Sequence, residues 1–459
     1  MRVTPEYERK LDAPVGFRLP PLGGRPLEPR SFTSVYYDVP GGSLAASGIT
    51  LRRRTEHGRS VWQLKLPSED FRLELEEPGG PARVPENLAR LLRAHLRRGP
   101  LEKVAELRTR RSGELVARAG SRAEVTLDRV SIMDARRVRD RFVEVEVELR
   151  SGDPQQLDLI ARELREAGAQ CGGETPKLFR ALALDEEPLE AGPAALEAIR
   201  VGLLEQLREI EAYDPGTRLG RDPESLHDMR VAVRRARALF RTGRPVIADD
   251  IEAVETGLKE LGRVLGDVRD LDVLIAHLRA EAETLEDDER EAFRGAIASL
   301  TRERSAARGR LLRTLDGDEY LQLLDDLERT ARALTPSEGL LLTDLVDRQA
   351  RKLRKIAKAL TKDPADDDLH VLRKAGKRTR YAAELAGNSK LVKRAKRLQD
   401  VLGEHQDAVV AGERLRVLAA AGGPTLAFAA GRIAEREEER RLAARKRWPK
   451  AWQQLRKAL

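Results

Sequence analysis

The feature that most constrains the fold is a basic helical pattern that occurs twice, at residues 226–241 and 369–384. In each copy a histidine is followed by three cations at the same offsets: His227, Arg230, Arg234 and Arg237 in the first copy, and His370, Arg373, Lys377 and Arg380 in the second. Because a helix advances about 100° per residue, the four side chains of each copy fall within an arc of roughly 80°. We therefore expect two helices that each carry a cationic face.

The apolar residues of both copies fall on the opposite side of the same helices. They are Val233, Ala236, Leu239 and Phe240 in the first copy, and Leu372, Ala375, Ala382 and Ala383 in the second. A helix with this division buries one face in a core and leaves the other for an anion.

A second duplicated segment accompanies each basic helix. Residues 264–270 (VLGDVRD) match residues 401–407 (VLGEHQD), and Lys259 and Lys396 fall at the same spacing before them. Two halves of like sequence are expected to pack about a pseudo-twofold axis, which would bring the two basic faces to one groove. We expect Asp270 and Asp407 to orient an arginine or to cap a helix.

Composition limits the class of protein. The 459 residues are 35% charged, with 85 basic and 77 acidic side chains, and exceed the size of one ordinary core, so two or three domains are expected. A single cysteine, Cys171, excludes an internal disulfide and a cysteine-based zinc site. No apolar leader opens the chain and no run of 18 apolar residues occurs, so we expect a cytoplasmic protein without a membrane span.

The chain divides where its periodicity changes. Residues 1–186 contain short alternating runs separated by Gly and Pro clusters, which predict an antiparallel sheet or barrel with helices inserted at 85–97 and about 154–167. Residues 187–193 form an acidic, proline-containing linker. Residues 194–459 predict an all-α bundle, with helices at 194–212, 223–241, 249–281, 288–315, 318–334, 338–361, 366–386, 388–420 and 425–458.

Many of the predicted strands have one charged face. Alternate residues of a strand share a face, which groups Glu6, Glu8 and Lys10, Arg52 and Arg54, Arg72, Glu74 and Glu76, Glu124 and Asp128, and Glu144, Glu146 and Glu148. One such face is ordinarily solvated, but several in a closed barrel require a ligand to neutralise them. Carboxylates suit Mg²⁺ or Mn²⁺ and clustered arginines suit phosphate, so these faces predict a site for a metal-bound polyphosphate.

The first half of the chain resembles the CYTH domains, or triphosphate tunnel metalloenzymes, over about residues 3–183. Glu6-Tyr7-Glu8-Arg9-Lys10 matches their E-x-E-x-K signature. Further matches follow in order at residues 51–54, 62–65, 72–74, 108–111, 128, 144–148 and 175–177. The resemblance implies an eight-stranded tunnel that hydrolyses a triphosphate with a divalent metal.

The resemblance also implies roles for individual residues. Glu6, Glu8 and Lys10 are the candidate catalytic residues, and the candidate ligands of Mg²⁺ or Mn²⁺ are Glu6, Glu8, Asp128, Glu144 and Glu146. The candidate phosphate-binding residues of the tunnel are Lys10, Arg52, Arg54, Lys65, Arg110 and Lys177. The register at Arg108–Arg111 stays open, because adjacent arginines face opposite sides of a strand. The sequence does not choose between tripolyphosphate, thiamine triphosphate and nucleoside triphosphates, since Phe32, Tyr36 and Trp62 are not placed.

The second half resembles the CHAD domain, a helical module named for its histidines, over about residues 194–459. The duplicated pattern carries the resemblance, which implies that the groove binds inorganic polyphosphate through His227, Arg230, Arg234, Arg237, His370, Arg373, Lys377 and Arg380. Lys259 and Lys396 extend this set. We expect the histidines to hydrogen-bond phosphate rather than to ligate a metal, because neither has a carboxylate or histidine at the fourth following position.

Two other functions remain open from the sequence. Basic helices contact any phosphate backbone, so nucleic-acid binding is one rival, although only 4% of residues are aromatic and no stacking platform or recognition helix is evident. The other rival is a non-catalytic protein whose helical half localises it to polyphosphate granules while the barrel is inert. The sequence does not give the oligomeric state.

Overall fold

The structure is a computed structural model that describes residues 1–68, 71–81, 83–97, 99–171, 194–248, 250–335, 339 and 341–459. The chain forms two compact units, which are Met1–Pro188 with Asp214–Leu219, and Leu189–Tyr213 with Gly220–Leu459. The predicted linker at 187–193 lies outside the described residues. The described residues include no helix long and apolar enough to cross a membrane.

The first unit is built on one antiparallel sheet. Its strands are β1 (Arg2–Glu6), β2 (Glu8–Ala13), β3 (Arg25–Asp38), β4 (Thr50–Glu56), β5 (Arg59–Pro67), β6 (Arg72–Pro78), β7 (Glu102–Arg118), β8 (Ser121–Asp134), β9 (Arg137–Ser151) and β10 (Gln170–Cys171). They pair in the order β1-β6-β5-β4-β3-β7-β8-β9-β2-β10.

A single residue closes this sheet into a ring. β1 pairs with β6 near one end of the order and β2 pairs with β9 near the other, yet only Tyr7 separates β1 from β2. The backbone oxygen of Tyr7 accepts a hydrogen bond of 2.9 Å from the amide of Leu149 in β9. When β1 and β2 are counted as one broken strand and the two-residue β10, which pairs with β2, is left out, eight strands surround an interior, so the predicted eight-stranded barrel is confirmed.

The apolar strand faces point outward and are covered by helices. α1 (Ser43–Ala46), α2 (Glu86–Leu91) and α3 (Arg93–Leu96) pack on an outer cluster around Trp62, Leu64 and Leu75. α4 (Gln155–Glu166) packs on a second cluster that includes Val145 and Val147. Since these two clusters lie outside the ring, the charged alternate residues of the strands face its interior. A smaller apolar cluster that includes Tyr36, Leu107 and Val130 lies on the same inward faces as the charged groups.

The second unit is all-helical in its described part, as predicted. Its helices are α5 (Ala195–Leu219), whose last residues belong to the first unit, α6 (Pro223–Gly243), α7 (Glu252–Ala282), α8 (Asp287–Asp316), α9 (Asp318–Ala333), α10 (Leu342–Ala359), α11 (Asp366–Leu385), α12 (Ser389–Ala421) and α13 (Pro424–Arg456). Each predicted helix has a counterpart, but α5 continues through Pro215, beyond the predicted end at residue 212.

The duplicated segments occupy equivalent helix pairs. The two basic patterns lie on α6 and α11, and the two VLG segments lie on α7 and α12, which pack on them in turn. All eight apolar residues predicted to face the core are buried, among them Phe240 and Leu372. The basic faces of α6 and α11 are consequently directed away from the core.

Candidate functional sites of the barrel and the helical groove

The carboxylates predicted to bind metal share the barrel interior. Lys10 of β2 lies opposite Glu146 of β9, and Asp128 of β8 lies opposite Glu144 of β9. Directly opposed residues of antiparallel strands lie on the same face, so these groups form one charged surface. Asp128 and Glu144 are fully buried.

Lys65 links the carboxylates at the closure of the ring. Its Nζ lies 2.7 and 2.6 Å from the two carboxylate oxygens of Glu6 and 3.8 Å from Glu74, so it joins β5 to β1 across β6. Burial opposes the charge of Lys65, but the carboxylates of Glu8, Glu6 and Glu74 outweigh burial and raise the pKa of Lys65. This lysine is therefore held as a buried cation among three acids.

The two glutamates of the signature are in different electrostatic states. Burial works against ionisation of Glu8, but the ammonium groups of Lys65 and Lys10 outweigh it and lower the pKa of Glu8 to about 2. Lys10 Nζ is 2.7 Å from Glu8 Oε1. For Glu6, burial and the neighbouring carboxylates of Glu8 and Glu74 prevail over Lys65, so its pKa is raised.

On β7, the interior cation is Arg111 and not Arg110. Arg111 forms a two-pronged ion pair with Asp128, with distances of 2.7 and 2.6 Å, and it also contacts Glu146. Arg110 is exposed and lies opposite Arg129 on the other face of the sheet. The prediction that Arg110 is the phosphate-binding arginine of this strand is therefore wrong, and Arg111 takes its place in the tunnel. Lys177 lies outside the described residues.

Arg52 and Arg54 face the interior from β4. Arg52 Nε donates to Gln63 Oε1 at 2.8 Å, and Arg52 Nη1 donates to the Tyr36 hydroxyl at 3.2 Å. The guanidinium of Arg54 lies 3.9 Å from the centre of the Phe32 ring and pairs with Glu56. These partners orient both arginines within the tunnel.

The structure places two of the three aromatic residues, Phe32 and Tyr36, inside the barrel and the third, Trp62, outside it. Phe32 and Tyr36 contact the interior arginines, as just described. Trp62 instead lies in the outer core, where its Nε1 donates to the backbone oxygen of Gly80 at 3.0 Å. Of the three, Trp62 is thus excluded from the interior.

Glu148 is an interior carboxyl group with a raised pKa. Burial, with the neighbouring charges of Glu6 and Glu146, raises its pKa to about 7 against the opposing effect of Arg150. Arg150 contacts Glu148 at 2.5 Å and Glu124 at 2.7 Å. The group can therefore exchange a proton with water under physiological conditions.

The interior donors fit a divalent metal by their chemistry. They are carboxylate oxygens, the ligands that Mg²⁺ and Mn²⁺ prefer. In the structure Glu6, Glu8, Asp128 and Glu146 are turned onto cations of the barrel. Within the described ranges, one group of three residues does hold its possible metal-ligand atoms within 4.8 Å of one another. It lies in the helical unit and consists of His277, Glu281 and Glu437.

The helical cluster at His277 is already neutralised. His277 Nε2 lies 2.6 Å from Glu437 Oε1, Arg440 lies 2.7 Å from Glu437, and Arg436 lies 2.9 Å from Glu281. Two guanidinium groups thus balance two carboxylates, and we interpret the cluster as an ion-pair network between α7 and α13.

In the second unit, the basic faces of α6 and α11 meet. Arg234 Nε donates a 2.9 Å hydrogen bond to the hydroxyl of Tyr381, which joins the two helices. The side chains of the predicted set on both helices are half-buried, whereas Arg235 and Arg378, beside Arg234 and Lys377 in sequence, are exposed. Arg230, Arg234, Arg373, Lys377 and Arg380 therefore lie together on one surface, which we call the basic groove.

The duplicated glycines make room for one arginine in each half. A Cβ atom on Gly266 would lie 3.5 Å from Arg230 Nε, and one on Gly403 would lie 3.7 Å from Arg373 Nη2. One turn after Gly266, Asp270 pairs with Arg230 at 3.0 Å. Asp407 occupies the equivalent position after Gly403 and interacts electrostatically with Arg373. The repeated G-x-x-x-D spacing thus supports and orients the groove arginines.

Lys377 lies among like charges in the groove. Burial and the guanidinium groups of Arg373, Arg234, Arg230 and Arg380 lower its pKa to about 7. Burial also lowers the pKa of Arg373. An anion bound in the basic groove would relieve this repulsion.

The two histidines differ where the repeats differ. Burial and the charge of Arg269 lower the pKa of His227. Burial also lowers the pKa of His370, but a hydrogen bond with Gln406, the counterpart of Arg269, opposes it. In the described part of the chain, the buried Nδ1 atoms of both histidines have no hydrogen-bond partner.

Lys259 and Lys396 extend the groove on α7 and α12. Both side chains are exposed. At about 100° per residue, Lys259 shares a helix face with Gly266 and Asp270, and Lys396 shares one with Gly403 and Asp407. They therefore lie on the groove side of their helices.

Comparisons with known proteins cover both units. Residues 4–181 match the CYTH domain and residues 201–416 match the CHAD domain. Two uncharacterised proteins from strains of Mycobacterium tuberculosis are each 31% identical over 420 residues, which covers 83% of this chain and 81% of theirs. The structure of PptA from Streptomyces chartreusis is 21% identical with a TM-score of 0.50, and the match covers 57% of this chain and 100% of PptA. The CHAD domain from the plant Ricinus communis is 27% identical with a TM-score of 0.44, over 57% of this chain and 89% of that domain.

Proposed function

The chain belongs to the CYTH and CHAD domain families, and from this premise we propose two phosphate-directed activities. The barrel hydrolyses a triphosphate, with inorganic tripolyphosphate favoured, and the basic groove binds inorganic polyphosphate. The alternative for the barrel is binding without catalysis.

The interior of the barrel carries the first part of the proposal. Cations and carboxylates both line the barrel interior, where cations are held on opposite charges. Lys65 is bonded to Glu6, and Arg111 is bonded to Asp128. A metal-bound triphosphate matches both halves of these ion pairs, since its oxygens would replace the carboxylates on the cations while the metal would bind the freed carboxylates. A neutral or cationic ligand that displaced the carboxylates would leave the buried cations without a negative charge.

The residues that would hold the metal are Glu6, Glu8, Asp128, Glu144 and Glu146. Mg²⁺ or Mn²⁺ bound there would neutralise phosphate charge and polarise a phosphorus–oxygen bond. Lys65, Arg52 and Arg111 would bind the phosphate oxygens and stabilise the charge that develops during phosphoryl transfer, which depends mainly on positioning and electrostatics. Glu148 would accept a proton from water at its carboxylate.

The excess of cations in the groove carries the second part. Lys377 is surrounded by four guanidinium groups, those of Arg373, Arg234, Arg230 and Arg380. A flexible chain of phosphates, with a charge on each unit, satisfies such a line of donors without requiring base recognition. Arginine forks are well suited to these oxygens.

The two parts have separate tests. For the barrel, phosphate release is screened with tripolyphosphate, thiamine triphosphate and nucleoside triphosphates in the presence of Mg²⁺ or Mn²⁺, and tripolyphosphate should be turned over fastest. For the groove, long-chain polyphosphate is bound to the full chain and challenged with duplex DNA or RNA at equal phosphate concentration. Displacement by nucleic acid would reject polyphosphate as the preferred ligand.

A further inference from the structure

We propose that Lys377 is a site of covalent acylation by acyl phosphates, small molecules in which an acyl group is joined to a phosphate. The inference rests on the proposed anion-binding role of the basic groove and adds a means of regulating it. It is carried by the placement of one unpaired amine among four phosphate-binding groups.

Lys377 differs from three of the four arginines around it. Arg230 pairs with Asp270, Arg380 pairs with Glu384 at 3.0 Å, and Arg234 is bonded to Tyr381. In the part of the chain that the structure describes, no hydrogen bond or ion pair holds the amine of Lys377. The first repeat has Arg234 at the equivalent position, so the amine is particular to the second repeat.

The charged groups facing Lys377 come from three helices. Arg373 and Arg380 belong to α11, and Arg230 and Arg234 belong to α6. Asp407 of α12 also faces Lys377, but it lies against Arg373 as well. Four guanidinium groups therefore surround the amine, with one shared carboxylate to offset them.

This environment favours the neutral, nucleophilic form of the amine. With a pKa of about 7, roughly half of the Lys377 side chains are neutral at neutral pH, whereas well under 1% of ordinary lysines are. A lysine beside other cations is a recognised arrangement for nucleophilic amines. A less basic amine is also a weaker nucleophile, but this loss of reactivity is smaller than the gain from the larger fraction of neutral amine.

The surrounding arginines select the phosphate-bearing donor. They would bind the phosphate part of an acyl phosphate and place its acyl carbon next to Nζ. The amine nitrogen attacks the acyl carbon, the bond from that carbon to the bridging oxygen breaks, and inorganic phosphate leaves with the electron pair. The amine loses its proton to solvent, and the product is a neutral amide.

The consequence is loss of the central cation of the groove. An acylated Lys377 is longer, uncharged and unable to bind phosphate electrostatically. Because the guanidinium groups remain, polyphosphate affinity should fall rather than vanish, by about tenfold for one lost charge contact.

Acetyl phosphate is the probe for the first experiment. Full-length protein is incubated with acetyl phosphate near pH 7.5, and mass spectrometry follows initial acetylation of Lys377 and of Lys374, an exposed lysine on the same helix. We expect Lys377 to react at least about tenfold faster. With an acetyl N-hydroxysuccinimide ester, which lacks phosphate, the preference for Lys377 over Lys374 should be severalfold smaller. Long-chain polyphosphate should protect Lys377 from both reagents.

Equal labelling of the two lysines by acetyl phosphate, or the same preference with both reagents, would overturn the proposal. Lys377→Arg supplies the second measurement, since it restores the residue of the first repeat and keeps the charge. Acetyl phosphate should weaken polyphosphate binding in the wild type and leave it unchanged in Lys377→Arg; equal weakening of both would also overturn the proposal. Selective labelling without any polyphosphate binding would support the acylation site while rejecting the proposed ligand.

Discussion

Lys65 Nζ lies within 2.7 Å of both carboxylate oxygens of Glu6, on strands that are separated by β6. This ion pair is nearly buried, and it spans the place where the broken first strand closes the barrel. The same glutamate is a candidate metal ligand. A bound metal would take Glu6 and a bound triphosphate would take Lys65, so binding of the two together would separate this ion pair.

The first prediction concerns the signature glutamates. Glu6→Gln combined with Glu8→Gln keeps the side-chain size but removes two carboxylates, so Lys65 loses two of its acids and the metal loses two ligands. Metal-dependent phosphate release should fall by about 100-fold or more. Arg9→Gln, between them in sequence, is the matched control because Arg9 lies outside the barrel and pairs with Asp158 of α4. Equal losses in both variants would contradict the assignment.

The second prediction concerns pH. The pKa of Glu148 is raised to about 7 from an ordinary value near 4.5, so the folded barrel binds a proton that the unfolded chain has lost between these values. The bound proton therefore stabilises the folded barrel. This stabilisation is fully present below pH 4.5 and is lost as the pH rises through 7, which lowers the free energy of unfolding by about 3 kcal/mol at most.

Glu148→Gln should remove this dependence. Hydrogen exchange of the β9 amides, corrected for intrinsic rates, would show greater protection in the variant than in the wild type at pH 8 and little difference at pH 4.5. A difference of equal size at both pH values would show that the substitution acts through packing.

The third prediction separates the basic groove from its surroundings. Arg234→Glu with Lys377→Glu should abolish polyphosphate binding, because both side chains lie at the centre of the groove, and should leave tripolyphosphate turnover largely unchanged. Arg235→Glu with Arg378→Glu makes the same charge change at the adjacent, exposed positions. That control should lose only the nonspecific, salt-sensitive part of the affinity. Polyphosphate titrations of both double variants and the wild type at two salt concentrations check this difference.

The fourth prediction tests the space above the duplicated glycines. Gly266→Ala should bind polyphosphate normally and stabilise α7 by roughly 0.5–1 kcal/mol, since a Cβ at 3.5 Å from Arg230 is an ordinary contact. Gly266→Leu should displace Arg230 and weaken binding severalfold. Gly295→Leu, on a helix surface with open space around it, is the control. Normal binding by Gly266→Leu would contradict the role given to this position.

Much of the fold follows from local patterns. The change from period two to period 3.6 locates the barrel and the bundle, because both periods are set by backbone geometry. The duplicated offsets also place the groove residues on one face each. The sequence offsets do not show that the two basic faces meet, because this depends on how the helices pack. The hydrogen bond between Arg234 and Tyr381 shows that they do.

The barrel site was harder to predict because it depends on register. Residues 108–111 supply arginines to both faces of β7, so composition cannot tell which one enters the tunnel; pairing with Asp128 selects Arg111. The closure at Tyr7 is equally invisible, since the E-x-E-x-K run reads as one uninterrupted strand. Both features arise from contacts between strands that are distant in the sequence.

The most direct test of the central claim is phosphate release from inorganic tripolyphosphate by the full-length protein, measured with Mg²⁺, with Mn²⁺ and after chelation of divalent metal. The account predicts release with either metal, none after chelation, and recovery when metal is restored. Release that persists without metal, or no release under any of these conditions, would contradict a hydrolytic, metal-dependent barrel.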